Sequence, residues 1–323
     1  MRFSTIDDGT RDGRLVLVSG DQSRMTPAGV PNLQAAIENW TDLEPDFRRR
    51  AQMLETGEDP LAEAYSIDAT LAPLPRAWQW LDGSAFESHG DLMSRVFGMD
   101  PPPRDRPLMY QGVSDRFYPS HTDVPFPSIE DGIDFEGEFG VITDSVPLGV
   151  TAAEAMKHIR LIVLINDWSL RSIAPIEMKT GFGWIQAKPP CSLAPIAVTP
   201  DELGSDWRDG RVNLPLKVWR NGEVFGQPNG KEMAFGFHDL IAHAARTRSL
   251  VAGTIIGSGT VSNADFKTAG SACITERRGI ELLEIGKAVT PFLQFGEQVR
   301  MSATSSSGAA LFGTLNQKVV QAS

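Results

Sequence analysis

Cysteine is scarce in this chain. Its 323 residues hold only Cys191 and Cys273, so no disulfide framework organises the fold, and a reducing compartment suits it. Cationic side chains are in deficit, 30 Lys and Arg against 41 Asp and Glu, for a net charge of −11. With a pI near 5.0, that balance argues against non-specific binding to nucleic acid or to an anionic membrane. A local cluster of Arg and Lys can still receive an anionic substrate. Long apolar runs are missing, and the stretch at 161–165 is far too short to span a bilayer. The first residues, MRFSTIDDGTRDGRL, carry charge early and contain no apolar stretch of the signal-peptide kind, so the cytoplasm is the expected location. There is no P-loop, no GxGxxG after a strand, no HExxH, no paired CxxC and no GxSxG. No internal repeat is evident.

What remains is an ordinary globular composition, 41% hydrophobic and 22% charged, long enough for one large domain or two unequal ones. Residues 1–20 read as a hairpin. Residues 31–54 place apolar side chains three and four apart, an amphipathic helix kinked or interrupted near Pro45. Residues 55–75 are rich in Gly, Pro, Asp and Ala and read as a linker, which predicts a small N-terminal domain over 1–75 and a larger one over 76–323. Beyond residue 76 the signals are mostly β. The run at 161–165 predicts a buried central strand, Asn221-Gly222 a tight hairpin, and residues 233–248 a helix. Strands outnumber helices too heavily for a doubly wound sheet, so a β-rich α+β fold is expected.

The acidic signal lies in Asp134-Phe135-Glu136-Gly137-Glu138. On a strand, alternate side chains share a face, which would gather three carboxylates on one side and Phe135, Phe139 and Val141 on the other. Burying such charges is costly unless a cation compensates, and a hard divalent ion is the simplest one. A solvated acidic face is the alternative. Asp167 ends the apolar run in Asn166-Asp167-Trp168-Ser169, at the rim of the core, as a ligand or as a helix N-cap. If residues 168–173 open a helix, Arg171 lies one turn on from Asp167, to bind a substrate carboxylate or to form a structural ion pair. Lys188, between an aromatic strand and Pro189-Pro190, suits oxyanion stabilisation; otherwise it is a solvated surface lysine. Of five histidines, His89 is the candidate general base, with Asp82, Glu87 and Asp91 nearby to orient it, though a lone histidine is more often structural. Gly257-Ser258-Gly259-Thr260 can offer N–H groups and a hydroxyl to an anion, or can be a plain turn.

In order, Asp82…His89, Glu136-x-Glu138, Asn166-Asp167-Trp168-Ser169-x-Arg171, Lys188 and Gly257-Ser258-Gly259-Thr260 resemble the fumarylacetoacetate hydrolase family. The resemblance covers roughly residues 76–320 and extends to the small β-plus-helix N-terminal domain of a bacterial subgroup. It implies a mixed β-sandwich roll and a homodimer. It also implies a divalent cation, Mg²⁺ first and Ca²⁺ or Mn²⁺ otherwise, held by Glu136, Glu138 and Asp167, with Asp82 as a further ligand. His89, Lys188 and Arg171 take the catalytic positions, and Tyr110 and Thr260 the substrate-binding ones. Two positions depart from the pattern. Ala174 stands where the fumarylacetoacetase branch has a glutamine. The glutamate that pairs with the histidine has no clear match: Glu276 is near but out of register, and Asp91 or Glu87 is left to orient His89.

The expected activity is metal-dependent hydrolysis of a carbon–carbon bond in a 2,4-diketo acid of the fumarylacetoacetate or acylpyruvate type, in aromatic catabolism. An oxaloacetate-type decarboxylase and a 2-oxo acid hydratase or isomerase use the same chemistry and are the nearest alternatives. A non-catalytic, cation-stabilised binding protein is the alternative of another class.

Overall fold

The run at 161–165 is apolar at every position because both of its faces are covered. In the computed structural model, which describes residues 1–98, 100–306 and 308–322, the strand Ile159–Asn166 lies inside an 11-stranded mixed sheet. Ile162 and Leu164 join one apolar cluster with Phe139, Val141 and Ile256. Leu161, Val163 and Ile165 join a second with Phe3, Trp40 and Ile142. The two-residue period of a strand thus serves two cores from a single segment.

The sheet runs from Glu63–Ala64 through Arg24–Pro27, Arg14–Val18, Arg2–Ile6 and Ala197–Val198 to Ile159–Asn166. It continues through Gly137–Thr143, Thr254–Gly257 and Trp80–Ser84 to Leu108–Gly112, and the eleventh strand, Ser192–Leu193, pairs with the end of Ile159–Asn166 off this path. Thr254–Gly257 and Trp80–Ser84 are parallel neighbours. A second, five-stranded sheet comprises Glu223–Gly226, Leu216–Arg220, Gln298–Ala303, Leu315–Gln321 and Val124–Phe126. Its Leu216, Val218, Met301, Leu315 and Val319 share the first cluster with Phe139 and Ile162, so the two sheets pack face to face. The fold is the expected β-rich α+β sandwich. No helix among the described residues is long and apolar enough to cross a membrane.

Pairing register decides what meets at one end of this sandwich. Glu138 lies opposite Ile165 and Gly137 opposite Asn166, which brings Glu138 beside the strand end that leads into Asp167. Gly257 pairs with Gly140 on one side and with Asp82 on the other. Two strand carboxylates, Asp82 and Glu138, therefore converge with Asp167, the residue just past the end of a third strand.

The N-terminal hairpin and the Asn221-Gly222 turn form as expected, the latter with positive φ at both residues (50° and 84°). Other local expectations need correction. The helical pattern over 31–54 breaks at Asn39 and not near Pro45, which sits inside the second helix: Leu33–Glu38 and Trp40–Thr56 flank the break, where Asn39 has φ −121° and ψ 26°. The pattern over 233–248 yields a helix only at Phe237–Ala244, because Asp239 accepts the N–H of Gly236 and fixes the start there. Residues 168–173 do not open a helix. Ser169–Leu170 instead pairs with Ile133–Asp134, and the N–H groups of Arg171 and Ser172 go to the carbonyls of Gly132 and Asp131. The residues before Lys188 form a turn-rich strap rather than an aromatic strand, pinned where the Glu177 carboxylate accepts the N–H groups of Ile185, Gln186 and Ala187.

Candidate metal centre and active site

Asp82, Glu138 and Asp167 are all buried, and each offers an oxygen within 4.8 Å of the other two. Asp82 accepts the Gly259 N–H at 3.0 Å. Asp167 accepts from Tyr110 Oη at 2.6 Å, Lys188 Nζ at 2.6 Å and Cys191 Sγ at 3.0 Å. Glu138 is fully buried, yet neither of its oxygens has a hydrogen-bond partner. Buried carboxylate oxygens without donors are costly. Burial, and next the Asp167 charge, push Asp82 up to about 8. Burial followed by the charges of Asp82, Asp167 and Glu136 holds Glu138 well above the ordinary carboxylate range.

Glu136 shares the alternation with Glu138 but stands in different company. Its Oε1 accepts from Ser169 Oγ at 2.5 Å, Lys188 Nζ at 2.7 Å and Arg171 Nη2 at 2.8 Å, and its Oε2 accepts from Thr260 Oγ1. Burial works to raise Glu136, but Arg171 and then Lys188 outweigh it and hold the carboxyl well below its usual range. Asp134, the third member of the alternating set, leaves it. The pairing changes partner between Ile133–Asp134, on Ser169–Leu170, and Gly137–Thr143, on Ile159–Asn166, and Asp134 accepts the N–H groups of Ile274 and Thr275, capping the helix Ile274–Ile285, with Arg171 Nε at 2.9 Å.

The two cations are thus committed. Lys188 serves Glu136 and Asp167, and Arg171 serves Glu136 and Asp134. Among the described residues, Asp82 and Glu138 have no ion-pair partner, which leaves two buried carboxylates uncompensated. The donor set is all oxygen, the chemistry of Mg²⁺, Mn²⁺ or Ca²⁺. Space is kept by Gly257, where a Cβ would lie 2.5 Å from Asp82 Oδ1 and 2.9 Å from Glu138 Oε2. The residues present fit a divalent cation. Gly257→Ala is expected to weaken Mn²⁺ binding by about tenfold or more, because a methyl group there displaces two of the three donors. Isothermal titration checks this, and unchanged affinity would place the ion elsewhere.

Tyr110, on Leu108–Gly112, lies under Lys188, 5.3 Å from ring centroid to Nζ, with Trp184 edge-on at 6.2 Å. Thr260 follows Gly259, so one short segment serves both Asp82 and Glu136.

His89 lies on the helix Glu87–Phe97. Its Nδ1 is 3.3 Å from Oε2 of Glu276, whose Oε1 accepts from Ser262 Oγ at 2.7 Å. Glu276, and neither Asp91 nor Glu87, is therefore the partner of His89. The other two are drawn outward by Arg104, at 2.9 and 2.8 Å. Counting along the sequence from Thr260 misplaced Glu276, because the helix Ile274–Ile285 packs on Glu87–Phe97 and carries it back. The usable signal was an acidic residue in a first helical turn, three positions after Cys273. A backbone bridge joins Glu136 to Cys273, the residue that opens the helix carrying Glu276. Ser262 on Glu276 and Cys191 on Asp167 carry no local sequence signal.

Fold and cluster together define a β-sandwich protein with a buried, oxygen-rich cluster that fits a divalent cation. The chain belongs to the fumarylacetoacetate hydrolase family: the family model "Fumarylacetoacetate (FAA) hydrolase C-terminal" matches residues 79–320, and "Fumarylacetoacetase N-terminal domain 2" matches residues 1–76. A 4-hydroxyphenylacetate degradation bifunctional isomerase/decarboxylase of Salmonella dublin is 24% identical over 84% of this chain and 56% of that enzyme. The chain thus spans little more than half of that relative. A human mitochondrial oxaloacetate tautomerase is 26% identical over 65% of this chain and 68% of its own length. Among solved structures, maleylpyruvate hydrolase from Sphingobium sp. SYK-6, in complex with manganese(II) and pyruvate, covers 100% of both chains at 15% identity and a TM-score of 0.66. Fumarylacetoacetate hydrolase from Exiguobacterium antarcticum does so at 17% and 0.64.

Proposed function

We propose that this chain hydrolyses a carbon–carbon bond in a 2,4-diketo acid of the fumarylacetoacetate or acylpyruvate type. A divalent ion, Mg²⁺ or Mn²⁺, is held by Asp82, Glu138 and Asp167, with Glu136 as the fourth carboxylate. When bound, the ion supplies Lewis acidity toward the oxygens of the 2-oxo acid. His89 is the general base. Glu276, acceptor-only when ionised, takes the Nδ1–H and leaves Nε2 free to receive a proton from water. Lys188 Nζ, oriented by Glu136 and Asp167, stands ready to stabilise an oxyanion. Tyr110 and Thr260 orient the substrate, and Arg171 fixes Glu136. The observation that supports the reading is that a buried carboxylate triad and a His89–Glu276 pair both form in this fold. Decarboxylation needs no water nucleophile, and a purely ion-binding domain needs no base. The same reading makes the protein a cytoplasmic homodimer of aromatic catabolism, in keeping with two free cysteines and the 4-hydroxyphenylacetate relative.

The test is a panel of acylpyruvates, fumarylacetoacetate, fumarylpyruvate and oxaloacetate with Mg²⁺ or Mn²⁺, following enol absorbance and identifying products. Hydrolysis yields two shorter acids. If the products are CO₂ and an oxo acid one carbon shorter, or no diketo acid is consumed, the hydrolase reading fails.

A further inference from the structure

Cys273 belongs to no role described so far, yet its thiol completes a second set of donors. Cys273 Sγ, a ring nitrogen of His89 and a carboxylate oxygen of Glu276 all lie within 4.8 Å of one another. Cys273 is the N-cap of the helix Ile274–Ile285, and its sulfur accepts the Glu276 N–H at 3.3 Å, so sulfur and carboxylate are fixed on one helical turn. His89 Nδ1 stands 3.3 Å from Glu276 Oε2. Two ligands at about 2.0 Å on a tetrahedral ion lie about 3.3 Å apart.

We infer that His89, Cys273 and Glu276 form a second metal site, selective for a soft or borderline divalent ion such as Zn²⁺, separate from the all-oxygen centre. The donor chemistry divides the two. Three carboxylates favour Mg²⁺ or Mn²⁺, whereas thiolate, imidazole and one carboxylate are the mix that zinc takes. Glu276 is already oriented through its other oxygen by Ser262, which in turn accepts from Ser88 Oγ at 2.9 Å; metal ligands are commonly supported from behind in this way. Cys273 and Glu276 are buried, and the side chain of His89 is 19% exposed, so the ion enters along the imidazole and water fills its fourth position. On binding, the thiol proton is released to solvent, and the Nδ1 proton of His89 moves to Nε2, so one proton leaves per ion bound. An ion held there occupies Nδ1 of His89 and leaves Nε2 protonated, which removes its capacity to accept a proton. Zinc would therefore inhibit without displacing the hard cation.

The probe is Co²⁺, titrated into full-length protein already saturated with Mg²⁺. One Co²⁺ per chain is expected, with a thiolate-to-cobalt charge-transfer band in the near ultraviolet and release of one proton. Cys273→Ser should lose the band while far-ultraviolet dichroism is unchanged, since serine is also a good N-cap. His89→Ala should weaken Co²⁺ binding by about tenfold or more. No band in folded, Mg²⁺-loaded protein overturns the site. So does a band that survives Cys273→Ser and vanishes in Cys191→Ser, because Cys191 lies on Asp167 at the other centre. Should Cys273→Ser fail to fold, His89→Ala decides: unchanged Co²⁺ affinity also overturns the site. The readout is spectroscopic, so a failed diketo-acid panel leaves this inference standing or falling on its own result.

Discussion

Replacing Glu138 with glutamine is expected to move two measurements in opposite directions. The melting temperature of the ion-free protein should rise, by roughly 3–6 °C, because a buried carboxylate with no donors gives way to a neutral group. The shift that Mg²⁺ or Mn²⁺ produces should vanish, and turnover should fall by a factor on the order of 10³ or more, the loss expected when Lewis-acid assistance of several kcal/mol is withdrawn. The sign of the pH dependence follows from the same groups. In the folded state Asp82 is raised to about 8 and Glu138 is also raised, whereas in the unfolded chain both titrate at about 4. The folded protein thus holds more protons between these values. Ion-free stability is greatest at the acid end of that window and declines as pH rises through it, and Glu138→Gln should flatten the decline. Scanning fluorimetry with and without EDTA across that range reads all of this. A Glu138→Gln protein that keeps both its ion-induced shift and its turnover would remove the carboxylate triad as the ion site.

His89→Ala is expected to lower turnover by about 10²–10⁴, the range for loss of a positioned base, while leaving Mn²⁺ affinity intact. Glu276→Gln should cost about 10–100-fold, because an amide still fits beside Nδ1 but no longer favours the tautomer with a free Nε2. Asp91→Asn and Glu87→Gln, whose partner Arg104 is exposed, should change turnover by less than about twofold. The ordering separates the pairing seen in the structure from the one expected along the sequence. It also separates reactions: a decarboxylase would tolerate His89→Ala far better.

The parts of the site legible in the sequence were those built within one element. The alternation of Glu136 and Glu138 and the polar end of an apolar run at Asp167 are local patterns with local causes. Parts assembled across elements were not legible. Asp134 fits the same alternation, but the chain turns it toward the start of a helix more than a hundred residues later. Arg171 reaches Glu136 through a two-residue strand pairing, not through a helical turn. Glu276 stands 187 residues from His89, and only the packing of two helices joins them. The β-rich α+β class followed from counting strands and the sandwich only from the family resemblance, whereas the break at Asn39 depended on a single residue's backbone.

The two matched family segments meet near residue 77, but the hydrogen bonding runs straight through. Arg2–Ile6 pairs with Ala197–Val198, and Ile162 of the strand ending next to Asp167 pairs with Val198 in turn. Leu161, Val163 and Ile165 are roofed by Phe3, Leu33, Trp40 and Phe47. Cutting the chain at residue 76 would thus not release a spare module. It would leave a raw sheet edge and a bare apolar face, a ready template for self-association, on the far side of the strand that leads into Asp167. In engineering, the first 75 residues are the back wall of the strand that leads into the proposed site.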